Sequence, residues 1–150
     1  MNCAKESLSL YAVTDRSWLA GKSLVQAVEE SLQGGITFLQ LREKTLDYEA
    51  FLNEAFSLKA LCAEYHVPFV INDNFTIALA CDADGVHVGQ SDSSVSQARA
   101  ILGNHKIIGA SVQTVAQALL AEKQGADYLG VGAIFPTSTK QNAEVVSYDL

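Results

Sequence analysis

Cysteine, proline and tryptophan are all scarce in this chain: 3, 2 and 1 among 150 residues. Cys3, Cys62 and Cys81 are odd in number and form no C-x-x-C, which argues against a disulfide framework or a zinc site and fits a reducing compartment. Pro68 and Pro136 fall at boundaries between apolar runs and interrupt none of them. Positive charge is scarce as well. Ten Lys and Arg against 17 Asp and Glu leave a formal net charge of −7. That sign argues against nucleic acid or an anionic membrane surface as partner. It also requires that any anionic substrate be held by local cations and a metal. No apolar run is long enough to span a bilayer, and no basic-then-apolar leader opens the chain. The expected setting is therefore cytoplasmic, and the sequon Asn74-Phe75-Thr76 is read as chance.

What the chain does have is regular alternation. Apolar β-rich runs at Leu8–Thr14, Phe38–Arg42, Phe69–Asn72, Gly85–Val88, Ile107–Ser111 and Tyr128–Val131 read as strands. Helical patterns lie between them at Leu24–Gln33, Tyr48–Tyr65, Phe75–Cys81, Val95–Leu102 and Val115–Lys123. In the longest, Phe51, Leu52, Ala55, Phe56, Leu58 and Leu61 trace one apolar face. Asp47 and Thr114 are expected N-caps, and Gly34, Gly103 and Gly125 stand where helices should stop. Ala83-Asp84-Gly85-Val86-His87-Val88-Gly89 is echoed by Ala126-Asp127-Tyr128-Leu129-Gly130-Val131-Gly132, which suggests stacked βα units in one domain over residues 1–150.

Two of these strands end abruptly in a carboxylate, at Asn72-Asp73 and at Gly89-Gln90-Ser91-Asp92. In one parallel sheet Asp73 and Asp92 would stand together at the carboxyl edge, where α/β proteins build their sites. Hard oxygen ligands there suit Mg²⁺, which takes one or two carboxylates plus substrate phosphates. On position alone each aspartate could equally cap the following helix, at Phe75 or near Val95.

Strict βα alternation means a parallel sheet covered by helices, either an open doubly wound sheet or a closed (βα)₈ barrel. Polar residues follow six successive strands: Thr14-Asp15, Gln40 to Lys44, Asn72-Asp73, Gln90 and Asp92, Ser111, and Thr137 to Lys140. An open sheet concentrates its site at one switch point, whereas a barrel gathers groups from many strand ends, so the pattern favours the barrel. A barrel needs eight strands and typically about 250 residues. The chain shows six, and Ser147-Tyr148-Asp149-Leu150 reads as the start of a sixth helix, so the expectation is a barrel lacking its last quarter. Such a sheet would expose its first and last strands and invite pairing with a second copy, a possible homo-oligomer.

At this point a resemblance becomes specific. Gln40-Leu41-Arg42-Glu43-Lys44, Asn72-Asp73, His87-Val88-Gly89-Gln90-Ser91-Asp92 and Gly130-Val131-Gly132-Ala133-Ile134-Phe135-Pro136-Thr137-Ser138-Thr139-Lys140 resemble, in order, the motifs of the thiamine phosphate synthase family, from Tyr11 to Lys140. The resemblance implies a TIM-type (βα)₈ barrel that joins hydroxymethylpyrimidine diphosphate to a thiazole phosphate, releases pyrophosphate and uses Mg²⁺. It implies pyrimidine diphosphate contacts from Gln40, Leu41, Arg42, Glu43, Lys44, Asn72, Ser111 and Lys140, with Arg42, Lys44 and Lys140 as the catalytic cations. Asp73 and Asp92 would hold Mg²⁺, and Thr137, Ser138 and Thr139 would receive the thiazole phosphate. The cations suit that chemistry, because the barrier lies in charge on the departing diphosphate. A neutral thiazole nitrogen attacks without help from a side-chain nucleophile, and the sequence holds no Ser-His-Asp or Cys-His set.

Blander roles stand beside these. Arg42, Glu43 and Lys44 could be a solvated charge cluster, Lys140 part of a surface loop, and Ser111 a strand terminator. His87 alternates with Val86 and Val88, so it is read as facing the barrel interior. His66 and His105 sit in helix-to-strand connections and receive no function. Asp84 and Asp127 precede strands on the amino face, where structural roles are expected. Two other functions compete. A thiazole tautomerase on the same fold would lack the paired carboxylates and carry a histidine where this chain has Gln113. A non-catalytic binding module derived from the barrel is the third.

Overall fold

The computed structural model describes residues 3–90, 94–135 and 146. Its strands are β1 (Tyr11–Val13), β2 (Phe38–Leu41), β3 (Phe69–Asn72), β4 (Gly85–Val88), β5 (Ile107–Val112) and β6 (Tyr128–Val131). Between them run α1 (Leu24–Gln33), α2 (Tyr48–Glu64), α3 (Phe75–Ala80), α4 (Val95–Leu102) and α5 (Val115–Lys123). All six strands pair in parallel, in the order of the sequence.

The sheet is not flat. Tyr11 on β1 and Tyr128 on β6 stand at opposite ends of the strand order, yet their hydroxyls lie 2.6 Å apart. Six strands at about 4.8 Å spacing would separate them widely in a flat sheet. The sheet therefore curls into a half-barrel, the TIM-type architecture expected from the strand-end pattern.

Strand periodicity sorts the side chains. Leu39, Leu41, Phe69, Ile71, Val86, Val88, Ile108, Ala110 and Val112 face outward and form one core cluster with helix residues such as Val28, Leu32, Ala55, Leu58 and Ala98. Each fully buried aliphatic side chain there contributes about 1.5–3 kcal/mol of transfer free energy. The opposite face holds Phe38, Val70, Ile107 and Tyr128, with Cys3 from the N-terminal segment buried against them. Tyr11 stacks on Phe38 at 4.7 Å, and Tyr128 meets Phe38 edge-on at 5.6 Å. Aromatics thus fill the lumen at its amino end and leave the carboxyl end to polar groups.

Capping follows the sequence closely. Asp47 accepts the Ala50 N–H and Thr114 the Gln117 N–H, as expected. Gly103 ends α4 with φ +78°, a conformation that favours glycine. Two expectations need correction. Leu8 does not open β1 but closes a 3-10 turn over Lys5–Leu8, because the β-rich run there is only three residues long. Phe56 is 49% exposed, since the buried stripe of α2 runs through Phe51, Ala55, Leu58 and Cys62.

Candidate active site

The polar residues that end successive strands gather at the carboxyl edge of the half-barrel. On β2, alternation turns Gln40 inward between Leu39 and Leu41. Gln40 is 5% exposed and its Nε2 donates to the Tyr11 hydroxyl at 2.8 Å. The side chain of Leu41 lies wholly within the outer core cluster, so its backbone alone can reach a ligand. Thr14, buried after β1, braces the next residue: its Oγ1 accepts the Arg42 N–H at 2.9 Å, and its own N–H donates to the Gln40 carbonyl at 3.0 Å.

Glu43 turns to a different neighbour. Its Oε1 lies 2.9 Å from Arg16 Nε without the alignment of a hydrogen bond, and the Arg16 guanidinium also donates to Glu54 Oε2 at 2.6 Å. Glu43, more than any other group, holds the Arg16 guanidinium in its charged form. Burial pushes the Glu54 carboxyl up, against the pull of Arg16. Glu43 is thus committed to a charge cluster with the first βα loop, while Lys44 is exposed.

Asp73 does not cap α3. Asn74 takes that position, its side chain accepting the Ile77 N–H at 3.0 Å. Asp73 instead sits at φ +57°, a conformation that costs a non-glycine residue about 1–2 kcal/mol. Its Oδ2 accepts from Asn72 Nδ2 at 2.6 Å, its Oδ1 from the Gly89 N–H at 3.1 Å, and its own N–H bonds the His87 carbonyl at 2.9 Å. These bonds hold the carboxylate across the ends of β3 and β4. Each oxygen keeps a lone-pair direction, and oxygen donors of this kind fit Mg²⁺. Likewise Ser94, which accepts the Gln97 N–H, is the N-cap of α4. The competing cap roles of Asp73 and Asp92 are therefore both filled by other residues. No group of three or more His, Cys, Asp or Glu able to hold a metal occurs among the described residues.

On the lumen face, His87 is 8% exposed, with its interior orientation as expected. Its Nδ1 lies 3.0 Å from the Tyr128 hydroxyl and its Nε2 lies 2.9 Å from Ser111 Oγ. Gln90 Nε2 donates to the Ser111 carbonyl at 2.7 Å. Burial pushes the Tyr11 phenol up to about 12 and the Tyr128 phenol further still, so both keep their protons at neutral pH. Glycines make the room. A Cβ on Gly109 would stand 2.0 Å from the Tyr128 ring, and one on Gly130 would stand 3.3 Å from the His87 ring.

The structure thus brings together Gln40, Asn72, Asp73 and Ser111. Asp92, Thr137, Ser138, Thr139 and Lys140 lie outside the described residues. Sequence reasoning missed Tyr11, Tyr128 and the bracing role of Thr14. The inward glycines at 109 and 130, each facing a bulky polar ring, were the available signal.

Parallel strands curled into a half-barrel, with hydrogen-bonding side chains from β2, β3, β4 and β5 at the carboxyl edge, define a member of the TIM-type barrel class. A family model described as "Thiamine monophosphate synthase" matches residues 10–150. The chain is 48% identical over 145 residues to the thiamine-phosphate synthase of Clostridioides difficile strain 630, covering 97% of this chain and 69% of that protein. It is 49% identical over 146 residues to the thiamine-phosphate synthase of Ruminiclostridium cellulolyticum, covering 97% and 70%. A solved thiamine phosphate pyrophosphorylase from Pyrococcus furiosus superposes with a TM-score of 0.81 at 42% identity, over 87% of this chain and 63% of that one. The chain belongs to the thiamine monophosphate synthase family, and spans about two thirds of the length of these relatives.

Proposed function

We propose that this chain acts as a thiamine phosphate synthase, a transferase joining hydroxymethylpyrimidine diphosphate to a thiazole phosphate with release of pyrophosphate. The carrying observation is Asp73, which accepts a strained backbone to set its carboxylate across two strand ends, bonded to Asn72 and to the Gly89 N–H. Strain of that kind persists where the surrounding structure holds it, and clusters at ligand sites.

In this reading Gln40, the Leu41 backbone, Arg42, Lys44, Asn72, Ser111 and Lys140 hold the pyrimidine diphosphate. Glu43 acts at one remove, by orienting Arg16 and the loop around it. Asp73 and Asp92 hold Mg²⁺, which when bound neutralises charge on the diphosphate. Thr137, Ser138 and Thr139 receive the thiazole phosphate. The bond from the methylene carbon to the diphosphate oxygen breaks with its electron pair on the leaving group. The thiazole nitrogen lone pair then forms the new carbon–nitrogen bond. Arg42, Lys44 and Lys140 favour that departure, because cations placed where negative charge develops lower the barrier. Arg can grip two oxygens in a fork, whereas Lys follows as a point charge. Gln113, whose N–H is taken by Gln117 Oε1 at 2.7 Å, offers no imidazole for the tautomerase reaction.

Residues 1–150 form one domain in this proposal, working in the cytoplasm as a homo-oligomer. Among the described residues no helix is long and apolar enough to cross a membrane, and all three cysteines are free and buried. Calorimetric titration with hydroxymethylpyrimidine diphosphate, with and without Mg²⁺, tests the reading. Mg²⁺-dependent binding supports it, and no binding by the folded chain overturns it.

A further inference from the structure

Five side chains from five strands form one unbroken hydrogen-bonded chain across the lumen. Gln40 Nε2 bonds the Tyr11 hydroxyl at 2.8 Å and the Tyr11 and Tyr128 hydroxyls meet at 2.6 Å. Tyr128 reaches His87 Nδ1 at 3.0 Å, and His87 Nε2 reaches Ser111 Oγ at 2.9 Å. The two ends, Gln40 and Ser111, are residues assigned above to the pyrimidine. The three in the middle have no role in that assignment.

Proton counting orders the chain. Each of its four links needs one hydrogen, each phenol has one to give, and a neutral imidazole has one. Gln40 donates to Tyr11 through its amide N–H. If Tyr11 then donates to Tyr128, Tyr128 donates to Nδ1, the ring carries its proton on Nε2, and Nε2 donates to Ser111. Every link is filled once. If Tyr128 donated to Tyr11 instead, the Tyr11 proton would be left without an acceptor among these side chains in a partly buried site, which costs part of a desolvation penalty. An imidazolium forces that same reversal, because both ring nitrogens would donate.

We propose that Tyr11, Tyr128 and His87 are positioning residues that fix the hydrogen-bond polarity of the site, holding Gln40 Oε1 as an acceptor and the Ser111 hydroxyl as a donor toward the bound heteroaromatic ring. This rests on the synthase reading and extends it to specificity. An aminopyrimidine offers an amine N–H and a bare ring nitrogen, the complement of that pair. A ring with an oxo group in place of the amine presents the reverse pattern and is refused. The relay also accounts for Gly109, where a Cβ would collide with the Tyr128 ring at 2.0 Å, and fits Gly130, where one would press the His87 ring at 3.3 Å.

Two measurements test it. Nitrogen-15 NMR of the histidine rings, with His87 assigned by comparison with His87→Gln, should show a neutral ring protonated at Nε2 near pH 7. A ring protonated at Nδ1, or a cation, overturns the proposal whether or not the chain binds any diphosphate. The second is competition between hydroxymethylpyrimidine diphosphate and its 4-oxo analogue, by calorimetry on the wild-type chain, Tyr128→Phe and Tyr11→Phe. Breaking the relay should reduce the preference for the amine at least tenfold while the isotherm for inorganic pyrophosphate with Mg²⁺ stays unchanged. An undiminished preference in both folded variants overturns the relay. Absence of any diphosphate binding by the wild-type chain would overturn the synthase reading alone, leaving the NMR result to decide the polarity.

Discussion

Asp84 and Asp127 make the same pair of backbone bonds at the amino edge of the sheet. The Asp84 N–H donates to the Phe69 carbonyl at 2.9 Å while its Oδ2 accepts the Phe69 N–H at 2.8 Å. The Asp127 N–H donates to the Ile108 carbonyl at 2.7 Å while its Oδ2 accepts the Ile108 N–H at 2.9 Å. Each carboxylate also meets a cation, Lys59 at 2.6 Å or Arg99 at 2.9 Å. The repeated Ala-Asp dipeptide before β4 and β6 is therefore a repeated clamp on the neighbouring strand. Replacing either aspartate by alanine should lower stability by about 1.5–3 kcal/mol, the range for bonds to a charged group. Asp127→Ala should cost more, because its carboxylate is 5% exposed against 38% for Asp84. Urea midpoints would show this, and equal or absent losses would contradict it.

At the opposite edge, the backbone of Asp73 dictates which substitution is informative. Alanine in that left-handed conformation carries a penalty that asparagine tolerates better. Asp73→Asn should therefore lower the urea midpoint less than Asp73→Ala does while weakening Mg²⁺-dependent diphosphate binding at least tenfold. Asp73→Ala should lose both. Unaltered binding in the asparagine variant would remove Asp73 from the metal site.

Alkaline pH should weaken the fold through its buried thiols and phenols. Burial pushes the Cys62 thiol from 9.0 up to about 12, and the Tyr11 phenol from 10.0 up to about 12. Above about pH 9 the unfolded chain releases protons that the folded chain retains. The stability these groups confer is complete below pH 9 and is lost as pH climbs toward about 12, each contributing a slope of up to about 1.4 kcal/mol per pH unit. A urea series between pH 8 and 11 checks the sign. A flat profile would mean that the two groups ionise in place.

Among the described residues β1 and β6 each pair on one side only. Val13 and Val131 on those strands are 50% and 49% exposed, and Leu119 on α5 is 60% exposed. Unpaired edges with apolar side chains promote association. Light scattering should show mass rising with concentration, and a monomer throughout would count against it.

The sequence disclosed the parts of this molecule that depend on local pattern. Strand limits from periodicity coincide with the observed ones at β3, β4 and β6 and fall within a residue at β2 and β5, because alternation and caps are local properties. The positions of Gln40, Asn72, Asp73 and Ser111 were legible for the same reason: each is a polar residue within or just after an apolar strand run. The Arg16–Glu43 pair was not legible, since nothing nearby in the chain announces that residues 27 positions apart meet. The Tyr11–Tyr128 contact depends on how far the sheet curls, which no single strand encodes.

That contact has a consequence for how the molecule assembles. Each strand pairs with its successor, so the sheet can lengthen one βα unit at a time through short loops, the least costly in closure entropy. The Tyr11–Tyr128 bond instead joins residues separated by 117 positions, and can form only after the sixth strand has docked. A contact that closes so long a stretch of chain is expected to form after the transition state. Tyr11→Phe should hasten unfolding and leave the folding rate unchanged, so that this bond acts as a latch on a sheet that has already grown.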